Sequence, residues 1–197
     1  ILLWSHTKDS FLQRMYSAWT RKLFGSPATV HFPTQWLRTF YLDRHFFPKS
    51  ITDVRTSYLV KAKEQVIKTP WNAQRLRFLI VSQLTHAKGI GFILEAWNHI
   101  RQAYPEATLS IVGEGPLRSM VEQQADGSHV FYLGELSHAK VQSEYRNADI
   151  LLFPSLCLEN RPNVLVEGMA AGIAIVASDS GGVAETLGDY AQVQLYT

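Results

Sequence analysis

Through the last two-thirds of the chain, short apolar runs alternate with stretches of helical periodicity, and that alternation predicts a parallel sheet covered by helices. Residues 75–82 (RLRFLIVS) are rich in β-branched and aromatic side chains and predict a strand. After them Ile93, Ala96, Trp97, Ile100 and Tyr104 mark one helical face, and Pro105 ends that helix. Residues 107–116 (ATLSIVGEGP) predict a second strand closing on Gly113, Glu114, Gly115 and Pro116, followed by a helix from Leu117 to about Ala125. A third strand is expected over HVFYLGEL, then a helix over 137–147 with Val141 and Tyr145 turned inward. The continuous apolar run ADILLFPS (148–155) reads as a buried fourth strand, residues 162–172 as its helix, and IAIVAS (173–178) as the fifth strand. A Gly181-Gly182 turn leads into a short helix ending near Gly188, in which Glu185 is expected to cap its own helix. Strands and helices in this order call for an α/β, Rossmann-like sheet with helices on both faces and right-handed crossovers. Ligands of such sheets bind beyond the carboxyl ends of the strands.

The first third is different. Phe11, Met15, Ala18, Trp19 and Leu23 follow helical spacing within residues 5–24, with Lys8, Arg14, Arg21 and Lys22 on the other face. A short strand is expected over 28–32, a break at Pro33 and a helix starting at Thr34. Residues 48–72 lack firm periodicity, contain Pro70 and read as a linker whose edges of structure have no fixed place. Charge divides the chain the same way: residues 1–70 hold 11 Lys+Arg against 4 Asp+Glu, whereas 71–197 hold 8 against 13. The basic first part suits either an anionic surface or acceptor, or simply a solvated face. Nucleic acid is disfavoured, because the basic residues are dispersed and no recognition motif accompanies them.

With 197 residues, 46% hydrophobic and 12% aromatic, the chain is globular rather than disordered. It starts at Ile1 and stops where a strand is forming, so it is expected to be a piece of a longer protein. No apolar run approaches the roughly 20 residues that span a bilayer. The single cysteine, Cys157, excludes an internal disulfide framework and suits a reducing compartment, hence a cytoplasmic location or the cytoplasmic face of a membrane. Cys157 reads as a small half-buried loop residue, and His31 and His45 as loop or core histidines.

The candidate chemistry lies at residues 159–167 (ENRPNVLVE), directly after the fourth strand. A helix is expected to begin at Pro162, capped by Asn160 or Arg161. Glu159 then sits on the loop at the strand's carboxyl end and Glu167 in the second turn of the helix, both facing one crevice. Between them the free amides of Asn163, Val164 and Leu165 make a helix start whose unpaired donors and positive dipole end attract phosphate. A ligand with a phosphate centre and hydroxyl-rich groups on either side fits, as a nucleotide-sugar does.

The two glutamates, set between ADILLFPS and MAAGIAIVASDSGGVAE, resemble those of the retaining glycosyltransferases of the family-four (glycosyl transferases group 1) type, which have the GT-B fold. The similarity runs from about Arg77 to Val193 in the expected order. It implies three parts: the end of an acceptor-side domain over 1–47, a linker over 48–73, and a nucleotide-sugar (donor) binding Rossmann-like domain over 74–197, truncated at its carboxyl end. The resemblance implies that Glu159 engages the donor sugar and Glu167 accepts hydrogen bonds from the ribose hydroxyls. It also implies that Lys88, followed by Gly89, contacts the donor diphosphate. Where many relatives carry an arginine five residues before that lysine, this chain has Gln83, a neutral donor and so roughly half as strong. Arg161 and Pro162 stand where many relatives have an aromatic and a glycine.

Gly113 and Gly115 allow close approach of backbone to a ligand, or form an ordinary tight turn. Their GxGP pattern is not a dinucleotide fingerprint. Without an Asp-x-Asp or a His/Cys cluster of metal spacing, no cofactor or metal is expected, and Lys88 with the helix amides meets the leaving diphosphate's charge. The implied reaction transfers a hexosyl-type group from a nucleoside diphosphate sugar to the hydroxyl of a carbohydrate or lipid-linked acceptor. A non-catalytic nucleotide-sugar-binding module and a Rossmann oxidoreductase are the rival expectations.

Overall fold

The computed structural model describes residues 18, 19, 22, 27–44, 46, 47, 50–55, 72 and 74–196. Most of the amphipathic helix expected over 5–24 lies outside them; residues 18, 19 and 22 are helical, and Trp19, expected on the apolar face, is 59% exposed.

The first unit is small. Strand β1 (Thr29–Phe32) leads through Pro33 into helix α1 (Gln35–Leu42), and strand β2 (Ile51–Val54) returns parallel to β1 with Thr29 opposite Ile51. β2 falls inside the stretch that periodicity alone reads as a linker: four residues (ITDV) are too short to carry a pattern, and pairing with β1 gives them their conformation. The helix start expected at Thr34 is found there, with Thr34 as the N-cap of α1 and its hydroxyl accepting from the Leu37 amide at 3.2 Å. An aromatic cluster fills the interior, with Phe32 and Tyr41 ring centroids 5.8 Å apart and Tyr41 edge-on to Phe46 at 5.3 Å.

The second unit follows the predicted alternation in full. Its elements are β3 (Arg77–Val81), α2 (Ile90–Ala103), β4 (Thr108–Val112), α3 (Arg118–Gln124), β5 (Val130–Gly134), α4 (His138–Asn147), β6 (Ile150–Phe153), α5 (Asn163–Ala170), β7 (Ala174–Ser178), α6 (Val183–Leu187) and β8 (Val193–Tyr196). Six strands form one sheet in the order β5-β4-β3-β6-β7-β8, and every neighbouring pair is parallel. The period-two pleat of β3 shows why its apolar run is continuous: Phe78 and Ile80 enter a core with Trp97 and Val121, while Leu79 enters the opposite core with Tyr145 and Leu165. Phe78 meets Trp97 edge-on at 5.5 Å. Leu79, Leu109, Leu151 and Leu165 are fully buried, each contributing about 1.5–3 kcal/mol by leaving water.

At the amino end of the sheet Asp149, only 8% exposed, accepts from the Arg77 amide (2.9 Å), Nε (3.0 Å) and a terminal guanidinium nitrogen (2.9 Å). These bonds staple the starts of β3 and β6. The chain lays down β3, β4 and β5 in one direction and then returns to place β6 on the other side of β3. The order therefore reverses between β3 and β6, and their carboxyl ends flank a crevice of the kind in which open α/β sheets bind ligands.

One expected cap is not formed. α5 begins at Asn163 with Pro162 as its N-cap and no side-chain cap. Asn160 instead receives the Thr34 hydroxyl on its Oδ1 at 2.8 Å, so a contact 126 residues distant takes the group that local sequence assigns to the helix start.

Candidate functional site

The crevice is built from the connections after β3 and β6. Beyond β3 the chain passes Gln83, whose side chain is exposed, and makes a single 3-10 turn over His86–Lys88 that closes on Gly89. Gly89 has φ 69°, and a Cβ there would lie 1.9 Å from the carbonyl oxygen of Pro154 at the end of β6. Glycine thus lets the β3 turn press directly on the β6 loop. The Leu156 amide donates to the Ala87 carbonyl at 2.8 Å and locks the two loops side by side.

That packing brings together two of the residues singled out by sequence. Lys88 Nζ lies 2.5 Å from Glu159 Oε1, with the side chains 25% and 14% exposed. The same carboxylate oxygen accepts from Ser155 Oγ at 2.6 Å and is approached by Cys157 Sγ at 3.6 Å. Ser155 is 2% exposed, and Cys157 is half-buried, as expected. Among the described residues, every hydrogen bond to the Glu159 side chain ends on Oε1, and one of the three ammonium donors of Lys88 is used. Among the described residues, the second Glu159 oxygen and two Lys88 donors stay available to a ligand. The Glu159 backbone is held too: its carbonyl accepts from the Gly182 amide at 2.8 Å, and it forms a parallel bridge with Gly181, whose φ is 67°.

At the start of α5 the amides of Asn163 and Val164 have no acceptor among the described residues, whereas the Leu165 amide turns back to the Pro162 carbonyl at 3.2 Å. Two free helix-end donors remain of the three expected. Glu167 is half-buried without a side-chain partner among the described residues. Gly113 lies at the end of β4, where a Cβ would come within 1.8 Å of the Ser82 carbonyl oxygen. The close approach it permits is to the end of β3.

The long-range contacts of four residues escaped sequence reasoning: Ser155, Asn160, Thr34 and Glu185. Ser155 closes an apolar run, a signal that a polar side chain sits at a strand's carboxyl end. The others signal only a local helix start or cap, not the distant partners they take. Glu185, expected to cap its own helix, instead receives the amides of Gln35 and Trp36 in α1 at 2.6 and 2.8 Å, because α1 docks within its reach.

A separate cavity of about 590 Å³ opens at the other end of the sheet, lined by Asn72, Arg75, Arg77, Glu106, Thr108, Ser128, His129 and Asp149. It is remote from Lys88 and Glu159, which lie beyond the strands' carboxyl ends. Among the described residues no group of three His, Cys, Asp or Glu is placed to hold a metal ion, and no helix is long and apolar enough to cross a membrane.

Solved structures share this architecture. Sucrose-phosphate synthase from Thermosynechococcus elongatus superposes with a TM-score of 0.72 at 22% identity, covering 92% of this chain and 48% of that one. Anabaena Alr3699/HepE in complex with UDP superposes with a TM-score of 0.67 at 19% identity, covering 86% and 50%. The class is therefore that of the GT-B glycosyltransferase fold, of which the six-stranded sheet is a Rossmann-like domain. The family model for glycosyl transferases group 1 matches residues 75–194, and the chain belongs to that family. Among curated relatives, the phosphatidyl-myo-inositol mannosyltransferase of Mycolicibacterium smegmatis is 37% identical over 103 residues, which make up 52% of this chain and 27% of that protein. The chain thus spans about a quarter of this relative's length and about half of each solved chain.

Proposed function

We propose that this chain is part of a retaining glycosyltransferase that moves a hexosyl-type group from a nucleoside diphosphate sugar to an acceptor hydroxyl. Residues 74–197 serve as its donor-binding domain, and residues 1–47 as the end of the acceptor-side domain. The observation that carries the reading is the contact between Lys88 and Glu159 where the strand order reverses, one loop away from the two free amides of α5. A lysine with two unused donors beside open helix amides suits a diphosphate, and a carboxylate with one unused oxygen suits a sugar hydroxyl. Glu167, half-buried and without a side-chain partner among the described residues, takes the ribose hydroxyls. Gln83 adds a neutral donor to the diphosphate.

In the transfer step the bond from the anomeric carbon to the diphosphate oxygen breaks, one to the acceptor oxygen forms, and the proton of the acceptor hydroxyl passes to the departing diphosphate. Lys88 and the Asn163 and Val164 amides meet the charge that develops on the leaving diphosphate. Glu159 holds the sugar for attack on the face that retains configuration. The two glutamates grip opposite parts of the donor and are not a hydrolase pair flanking one scissile bond. The acceptor is a carbohydrate or a lipid-linked sugar, in polysaccharide, lipopolysaccharide or glycolipid synthesis on the cytoplasmic side of a membrane, where the basic first part of the chain meets anionic headgroups. The family membership and the UDP held by one structural neighbour support the choice of donor class.

The test is a pair of substitutions in the full-length enzyme. Glu167→Ala is expected to weaken donor binding and Glu159→Ala chiefly to lower turnover; wild-type kinetics for both would overturn the assignment. Calorimetry with UDP, GDP and their sugars, run beside the transfer assay, separates an enzyme from a module that only binds.

A further inference from the structure

We propose that Glu185 is a positioning residue: through the amino end of α1 it fixes the loop that carries Glu159, and so sets where that carboxylate meets the donor sugar. The inference rests on the donor-site reading above.

Glu185 belongs to α6, yet both of its carboxylate oxygens are spent on α1, accepting from the amides of Gln35 (2.6 Å) and Trp36 (2.8 Å). First-turn amides have no acceptor within their own helix, and a negative charge at that end complements the helix dipole. The next amide, of Leu37, donates to Thr34 Oγ1 at 3.2 Å. The Thr34 hydroxyl in turn donates to Asn160 Oδ1 at 2.8 Å, and Thr34 is 1% exposed.

Asn160 is the neighbour of Glu159, and the Glu159 carbonyl accepts from the amide of Gly182, three residues before Glu185. The junction leaves no slack: a Cβ at Gly182 would lie 2.0 Å from the Asn160 carbonyl oxygen and 3.5 Å from Thr34 Cγ2. Three distant segments, the start of α1, the Glu159 loop and the Gly181-Gly182 turn, therefore close a ring of contacts. Releasing Glu185 frees α1 at one side of that ring, and the Thr34–Asn160 hydrogen bond links that end of α1 to the residue beside Glu159. The α5 amides lie outside the ring, and Lys88 meets it only through its side-chain contact with Glu159 Oε1, so the diphosphate contacts change less than the sugar contact does.

The experiment uses the full chain, with UDP, GDP, UDP-glucose and GDP-mannose as probes. Amide hydrogen exchange of the wild type should show Gln35 and Trp36 protected, and Glu185→Ala should speed both by about tenfold or more. Glu185→Gln, which keeps one acceptor oxygen, should fall between. By calorimetry, nucleoside diphosphate affinity in Glu185→Ala should stay within about twofold of wild type, while the extra affinity conferred by the sugar drops about tenfold as Glu159 shifts. Thr34→Val should lose the same sugar increment with Gln35 and Trp36 still protected, an outcome that a merely destabilised variant would not give. Unchanged exchange at Gln35 and Trp36 in Glu185→Ala would overturn the proposal. So would an unchanged sugar increment in both variants, or a wild type that binds nucleotide and nucleotide sugar equally. A wild type that binds none of the four probes would overturn the donor-site reading and the positioning role together.

Discussion

Lys88 Nζ and Glu159 Oε1, 71 residues apart in the chain, lie 2.5 Å from each other in a half-buried contact at the mouth of the sheet. The pair is possible only because Gly89 lets the β3 turn sit against Pro154. A half-buried ion pair recovers little net energy after desolvation, so its worth here lies in placement more than stability.

Lys88→Ala should lower nucleoside diphosphate affinity about 10- to 100-fold, the loss expected for hydrogen bonds from a charged donor. The salt dependence of binding should flatten as well, since one screened charge contact is gone. Lys88→Arg should recover part of both. Calorimetry at low and high salt reads these effects.

Ser155→Ala removes the donor 2.6 Å from Glu159 Oε1 at a site that is 2% exposed. Unfolding in urea should show a loss of about 1–2 kcal/mol, and sugar-nucleotide binding should weaken more than binding of the bare nucleotide. Equal loss of both would mean that Ser155 supports the fold alone.

Asp149→Ala acts at the opposite end. It leaves the Arg77 guanidinium without the carboxylate it pairs with, and takes the acceptor from the Arg77 amide. Stability should fall by about 1–3 kcal/mol, the cost of losing the hydrogen bonds to a charged acceptor, since the Arg77 side chain is itself half-exposed and stays solvated. Nucleotide affinity of the folded fraction should be unchanged, because the crevice lies beyond the other ends of the strands.

Asp126 makes stability depend on acid pH. Its carboxylate accepts from the amides of His129 (2.7 Å), Val130 (3.0 Å) and Ser128 (2.9 Å), and these bonds hold its pKa well below the ordinary carboxylate range. Arg101 and the His129 ring face it at 3.8 and 3.6 Å. A pKa lower in the folded than in the unfolded state stabilises above the unfolded value, near 4, and that contribution fades as pH falls towards the folded value. Urea midpoints of wild type and Asp126→Ala should differ by a constant amount from neutral pH to about 5 and converge below it; a constant difference across the whole range would contradict this.

Much of the second unit is legible in the sequence because its strands are buried on both faces, which writes an unbroken apolar run such as residues 150–153. The helices betray themselves through residues such as Trp97 and Tyr145, buried at helical spacing. The loop chemistry is legible only in part. Glu159 and Lys88 are visible as residue types at strand ends, but their contact depends on which strand neighbours which, and β6 adjoining β3 leaves no local mark. Asn160 and Glu185 mislead for the same reason: each is a good local capping residue, and each is drawn to the first unit by a contact more than a hundred residues away. β2 is missed because four half-exposed residues have too little pattern to read.

The central claim is that a nucleoside diphosphate sugar binds in the crevice between β3 and β6. Crystals of the chain grown with UDP-glucose or GDP-mannose test it most directly, by the position of the two phosphorus atoms. The account predicts them between Lys88 Nζ and the amides of Asn163 and Val164, with the ribose hydroxyls on Glu167 and the sugar on Glu159. Phosphate density confined to the arginine-lined cavity at the amino end of the sheet, with the Lys88–Glu159 crevice empty, would contradict it.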